Sequence, residues 1–184
     1  MKKWSFFLLI VTLFISSCKD IRKKEDLSKV IIEWTGKGIV FPENIPCYTS
    51  GKETHSNQCY KQLLNEYRIF LYIDSIGCSS CRLQLPEWKQ LIKETDSLFS
   101  GKVGFLFFFQ PKNIKEFRYI FARERFDYPL FIDTNGSINN INHLPKETQY
   151  QCFLLDKDNK VVMIGNPVSN PNIWELYKKQ ISGK

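Results

Sequence analysis

The chain has 184 residues, 43% of them hydrophobic and 15% aromatic, and carries a formal net charge of +7. That length suits one domain with a sizeable core and is too short for two of ordinary size. The basic residues are spread along the sequence and form no stripe interleaved with aromatics, which argues against nucleic acid as a partner. The six cysteines are many for a cytosolic chain and ordinary for an exported one.

Lys2 and Lys3 precede an apolar stretch from Trp4 to Ile15 that is short for a bilayer span. Ile15-Ser16-Ser17-Cys18 follows, and small residues before a cysteine resemble the lipobox of bacterial lipoproteins. That resemblance implies a signal peptide over 1–18 and a lipidated Cys18 as the new N-terminus. The chain is then expected to be lipid-anchored to a bacterial membrane, outside the cytoplasm and facing the periplasm. The alternative is an ordinary signal peptide with a chance cysteine near its end. Residues 19–28, with the basic run Arg22-Lys23-Lys24, read as a tether.

Lys29 to Phe41 reads as a β-hairpin: Val30, Ile31, Ile32 and Trp34 are strand formers, Gly36-Lys37-Gly38 is the turn, and Ile39-Val40-Phe41 returns. Pro42 to Asn57 reads as loop, and Gln58 to Glu66 has a weak helical pattern. Residues 29–66 are thus expected to be a hairpin-and-loop extension, with the main domain over 67–184. In that domain Arg68 to Asp74 is a central strand. An amphipathic helix runs from Ser80 to Phe99, with a kink at Pro86. Val103 to Phe109 is a buried strand, Asn113 to Arg125 a helix, and Leu130 to Ile132 a short strand ended by the turn residues Asp133-Thr134-Asn135-Gly136. Gln151 to Leu155 and Lys160 to Ile164 pair around Asp156-Lys157-Asp158-Asn159, and a helix from Pro171 to Ile181 closes the chain. Alternating strands and helices, then an antiparallel pair and a last helix, predict an α/β fold with a central mixed sheet covered on both faces.

The chemistry-bearing motif is Cys78-Ser79-Ser80-Cys81, between the central strand and the helix after it. Unpaired N–H groups and the dipole at a helix N-terminus favour a thiolate, and two thiols one turn apart can close a disulfide. Cys78 is therefore the expected nucleophile and Cys81 the resolving thiol of a two-electron exchange with a partner. A structural disulfide is the plainer reading, but so short a loop stabilises little. Asp74 either relays protons to Cys81 or bonds the loop as a strand-end aspartate, the second being the commoner role. Cys47 and Cys59 either form a structural bridge or do not, since spacing does not settle connectivity. Cys152, within the apolar run Cys152-Phe153-Leu154-Leu155, reads as a core residue.

The element order with Cys-x-x-Cys after the first core strand resembles the thioredoxin-like fold. Cys78-Ser79-Ser80-Cys81, Arg82, Pro86 and the hairpin Phe153 to Val162 resemble the TlpA/ResA-like group of membrane-tethered thiol–disulfide oxidoreductases. The resemblance covers about Tyr67 to Ile181 and implies an enzyme without cofactor or metal. Its partner would be a protein dithiol or disulfide, and the chain is expected to act as a monomer. This sequence departs from the group at three places: Gly77 stands where Trp is usual, Gln84 where a titrating Glu is frequent, and no proline stands near Tyr150, where such proteins keep a cis-proline facing the dithiol. Pro145 lies too far upstream. The departures leave room for two other readings, a Cu(I)-binding or delivery protein using Cys78, Cys81 and His143, and a catalytically idle partner-binding module. The Pro-x-x-x-Thr-x-x-Cys setting of a peroxidatic cysteine is absent.

Overall fold

The computed structural model describes residues 27–43, 45–54, 59–74 and 83–183. The chain divides into two compact units, Met1–Trp34 and Thr35–Lys184. In the first, residues 27–34 form a helix, α1. The second holds a seven-stranded sheet: β1 (Cys47–Thr49), β2 (Lys52–Thr54), β3 (Tyr67–Ile73), β4 (Val103–Phe109), β5 (Leu130–Ile132), β6 (Cys152–Leu155) and β7 (Val161–Ile164). Its helices are α2 (Leu85–Phe99), α3 (Ile114–Arg123), α4 (Ser137–Asn142) and α5 (Pro171–Ser182).

The strand order is β2-β1-β5-β4-β3-β6-β7. β3, β4 and β5 run parallel, whereas β1, β2, β6 and β7 join antiparallel, so the sheet is mixed as predicted. Alternation along the central strands sends Ile69, Leu71, Phe105, Phe107 and Phe109 to one face. There Trp88 of α2 meets Phe107 edge-on at 5.2 Å, and Phe117 and Phe121 of α3 pack on Phe109 at 5.2 and 5.3 Å. Trp174, Tyr177 and Ile181 of α5 complete this cluster. The alternate residues Phe70, Phe108, Phe131 and Phe153 make an aromatic row on the other face, with Phe108 and Phe131 stacked at 4.4 Å and Phe70 tilted against Phe108. Phe41 lies over that row, 5.7 Å from Phe108.

The hairpin expected at Lys29 to Phe41 is corrected. Residues 27–34 are helical, and the extended segment after them pairs with β7 through Gly36 N–H to Val161 O (2.7 Å) and Val161 N–H to Lys37 O (2.9 Å). β-branched residues favour strand only where a neighbouring strand accepts their backbone groups; without one, a helix satisfies those groups locally. An N-terminal hairpin extension does exist, at β1–β2, inside the stretch read as loop. It is fused to the sheet by the pairing of Cys47 with Phe131 and Tyr48 with Leu130. Its turn places Ser50 and Gly51 at positive φ, the left-handed geometry a two-residue hairpin turn requires.

The helix expected from Ser80 starts instead at Leu85, because Gln84 before it is left-handed; the other elements fall within two residues of their predicted ends where those ends are described. Pro86 does not kink the interior of a helix: it sits in the first turn of α2, where the missing N–H would have no partner anyway. Gln84 before it is left-handed, with φ 47°.

Candidate functional site

The segment 75–82, which carries Cys78 and Cys81, lies outside the described residues, as do Cys18, Gly77, Arg82 and the whole leader. Its two ends are described. Ile73 and Asp74 close β3 at its C-terminal end, both half-buried. Leu83 is fully buried in the cluster that also holds Leu85, Trp88, Leu71 and Cys152. The Cys-x-x-Cys segment is therefore the connection between the central strand and α2.

Side-chain amides flank β3 at this end of the sheet. On one side Tyr72 Oη donates to Gln110 Oε1 (2.8 Å), and Gln110 N–H donates to Ile73 O (2.9 Å). Gly136 allows this packing, because a Cβ there would lie 2.9 Å from Gln110 Nε2 and its φ is 64°. On the other side Tyr72 N–H donates to Gln151 O (3.0 Å), and Gln151 Nε2 donates to Pro145 O (2.7 Å). Thr148–Tyr150 is a 3₁₀ turn, so Tyr150 and Gln151 hold the place expected for the cis-proline. No peptide bond among the described residues is cis. Asp133, at the end of β5, is buried and accepts from Ser137 N–H (2.9 Å) and Ile138 N–H (2.8 Å), a cap for α4 rather than a free carboxylate.

The remaining sequence-derived residues fall into distinct places. Gln84 accepts from Ser169 Oγ at 2.9 Å, tying the entry of α2 to the loop before α5. His143 is exposed at the C-cap of α4. Among the described residues no group of three or more His, Cys, Asp or Glu side chains is disposed to hold a metal. Cys47 and Cys59 form a disulfide with Cα atoms 6.1 Å apart, which resolves the question spacing left open. Both are buried, and the bridge fastens β1 to the segment before β3. Cys152 is buried as expected, and burial pushes its thiol well above the ordinary range, so it is a protonated, inert thiol. Burial likewise raises the phenols of Tyr128 and Tyr177, with Cys152 adding to the shift at Tyr177.

These raised values predict alkaline lability. The folded protein keeps Cys152 and both phenols protonated, while the unfolded chain begins to release their protons near pH 9 for the thiol and near 10 for the phenols. The unfolded state then binds fewer protons, and stability falls by about 1.4 kcal/mol per pH unit for each group in its window. Thermal melts between pH 8 and 11 should show a steepening loss, and Cys152→Ala should remove its earliest part. A melting temperature flat to pH 11 would contradict this burial.

Sequence reasoning passed over Gln110, Gln151 and Arg68. The first two carry no pattern, since an amide at a strand end reads as solvated. Arg68 offered a signal, a charge inside the apolar run Tyr67-Arg68-Ile69-Phe70. It is fully buried at the opposite end of β3 and donates to Leu63 O (2.9 Å), Asn65 O (2.8 Å), Asp156 O and Asn159 Oδ1 (2.8 Å).

No protein-family model and no curated protein matches the chain. Solved structures do. The C-terminal domain of a Bacteroides thetaiotaomicron protein, described as a candidate thiol-disulfide oxidoreductase, is 12% identical over 82% of this chain and 97% of its own, with a TM-score of 0.58. PrxQ from Xylella fastidiosa is 12% identical over 81% of this chain and 95% of its own, with a TM-score of 0.55. The peroxidoxin BcpB from Mycobacterium tuberculosis is 14% identical over 80% and 96%, with a TM-score of 0.54.

The fold is thioredoxin-like.

The likeness covers nearly the whole of each neighbour and about four fifths of this chain. Identity this low carries the fold and no further. In the thioredoxin-like sheet the connection after β3 is the one that bears Cys78 and Cys81 in this chain.

Proposed function

We propose that this protein is a thiol–disulfide oxidoreductase that uses Cys78 and Cys81, held outside the cytoplasm by lipid on Cys18. The observation that carries the reading is the place of the Cys-x-x-Cys segment, between the C-terminal end of the central parallel strand β3 and the first turn of α2 in a thioredoxin-like sheet. The buried Cys47–Cys59 disulfide supports an oxidising compartment, as the leader and Cys18 do. The partner is a protein disulfide or dithiol, the anchor is the membrane, and the working unit is a monomer.

The Cys78 thiolate attacks one sulfur of the partner disulfide, forming a mixed disulfide and releasing one partner thiolate. Cys81 then attacks Cys78 Sγ, releases the second partner thiol and closes the Cys78–Cys81 bond. Two electrons have passed to the partner, and an external dithiol donor returns the protein to its reduced form. No lysine or histidine flanks Cys78 in the sequence, so a reducing or near-neutral potential is expected rather than that of a strong oxidant.

Trapping tests the reading. A Cys81→Ala variant, expressed in its native host, should hold its partner as a mixed disulfide that a reductant releases. A Cys78→Ala, Cys81→Ala double variant should hold none. Recovery of no mixed disulfide from the single variant counts against exchange.

A further inference from the structure

Leu64 is 86% exposed, the most of any large apolar side chain among the described residues. It closes a 3₁₀ turn, Lys61–Leu64, whose backbone is held fast. The Arg68 guanidinium donates to the carbonyls on both sides of it, Leu63 O (2.9 Å) and Asn65 O (2.8 Å). Asn65 Nδ2 donates to Gly101 O, and the Cys47–Cys59 bridge fastens the segment before the turn. A leucine on so firmly bonded a backbone cannot fold back to shed its contact with water.

Leu64 stands at the pole where the parallel strands β3 and β4 begin, opposite the end from which the Cys-x-x-Cys connection leaves. The β6–β7 turn lies at the same pole, since Asp156 O accepts from Arg68 and Asp156 N–H donates to Lys160 O. Lys61, Lys102, Lys157 and Lys160 are all exposed there. Exposed Glu66 and Asp158 offset part of that charge, and the lysines remain in excess. An apolar projection among lysines suits the surface of an anionic bilayer, where the side chain enters the interface and the charges meet headgroups.

The chain also arrives at this pole. Gly36 N–H donates to Val161 O, and Ile39 N–H to Asn159 O, beside the β6–β7 turn. On the reading of Cys18 as the lipidated residue, the leash from the bilayer therefore enters the second unit here and not at the dithiol end. We propose that Leu64, with Lys61, Lys157 and Lys160, forms a lipid-binding surface that rests on the anionic headgroups of that membrane. β3 then leads away from the bilayer, and its C-terminal end stands up to about 20 Å further out. The Cys78–Cys81 connection is thereby presented to partners in the compartment rather than to lipid.

The full chain, reconstituted into lipid discs that include a nitroxide-headgroup lipid, tests this through its side-chain methyl resonances. In phosphatidylglycerol with phosphatidylcholine, the Leu64 methyls should broaden beyond detection. Those of Ile132, at the opposite end of the sheet, should stay sharp. The selective broadening should be lost in phosphatidylcholine alone and in a Lys157→Gln, Lys160→Gln double variant. Lys115→Gln, on the exposed side of α3, should leave it unchanged. Equal broadening at both ends, as a domain turning freely on its leash would give, overturns the proposal. So does broadening at Ile132 alone, or at neither end. Sharp Leu64 methyls in the discs, with a dimer in solution that Leu64→Ser dissolves, would assign the surface to a second copy and overturn the lipid proposal. The discs hold the chain by its apolar stretch from Trp4 to Ile15, with or without lipid on Cys18. A mass showing Cys18 unmodified in the native host would remove the anchor reading and leave the methyl result standing. Lipid on Cys18 with uniform broadening would do the converse.

Discussion

Cys78→Ala is expected to lower the rate of insulin-disulfide reduction by at least about 10³-fold, because the attacking sulfur itself is gone and no other described thiol replaces it. Cys152 is buried and protonated, and Cys47 and Cys59 are already bridged. Cys81→Ala should differ in kind: the first attack persists in a single turnover, while multiple turnovers stop for want of a resolving thiol. The wild-type rate should rise with pH as the attacking thiol gives way to its thiolate. The melting temperature of reduced Cys78→Ala should stay close to that of the reduced wild type. Insulin turnover that survives in Cys78→Ala would end the proposed function. Stoichiometric Cu(I) uptake lost in His143→Ala would move the assignment to the copper reading.

Arg68→Met is expected to cost about 3–5 kcal/mol of stability, the largest single loss outside the aromatic core. Replacing a buried ion pair by apolar groups is often neutral because both charges leave together. Here the acceptors are the backbone carbonyls of Leu63, Asn65 and Asp156, which no side-chain substitution removes. They belong to half-buried residues and lose their donor. Desolvation lowers the Arg68 pKa, while Asp156 and Asp158 act against that, so the charge is retained and its bonds are charge-assisted. The melting temperature should drop by roughly 10 °C, given ~2–4 °C per kcal/mol for a domain of this size. Because Arg68 lies at the N-terminal end of β3, away from the dithiol connection, the fraction that remains folded should keep the wild-type rate per molecule. A drop of less than about 1 kcal/mol in denaturant titration would show that water reaches those carbonyls.

Much of the thioredoxin-like core was legible in the sequence because its signals are local. Val103 to Phe109 is apolar throughout, and a strand buried on both faces needs nothing else to be recognised. α3 begins where Asn113 Oδ1 accepts from Lys115 and Glu116 N–H, a cap written in one residue type. The β6–β7 turn is set by Asp156 Oδ1, which accepts from Asp158 and Lys160 N–H. α5 carries its cap in Asn170 and its first-turn proline in Pro171. The Cys-x-x-Cys motif was legible in the same way, as a pair of residues at fixed spacing between a strand and a helix.

Other features depended on residues far apart in the chain. The strand formers at Val30 to Trp34 gave the wrong element, because strand propensity has effect only against a neighbouring strand, and 27–34 coils on itself instead. The β1–β2 hairpin is three residues a side and largely polar on its outer strand, too weak a pattern to read alone; it is held by β5, some eighty positions on, and by Cys59.

The sequence by itself determined the order of strands and helices in the core, the turns that join them and the two cysteines that carry the proposed chemistry. Each of these is encoded by periodicity or spacing over a few residues. Only the tertiary structure decided that Cys47 bonds Cys59, that Arg68 holds the far end of β3, and that Gln151 stands beside Tyr72 with an oxygen unpartnered. Those facts arise from strand order, which brings residues 12 to 91 positions apart into bonding distance. Local pattern records which face a residue shows; it does not record which distant residue that face will meet.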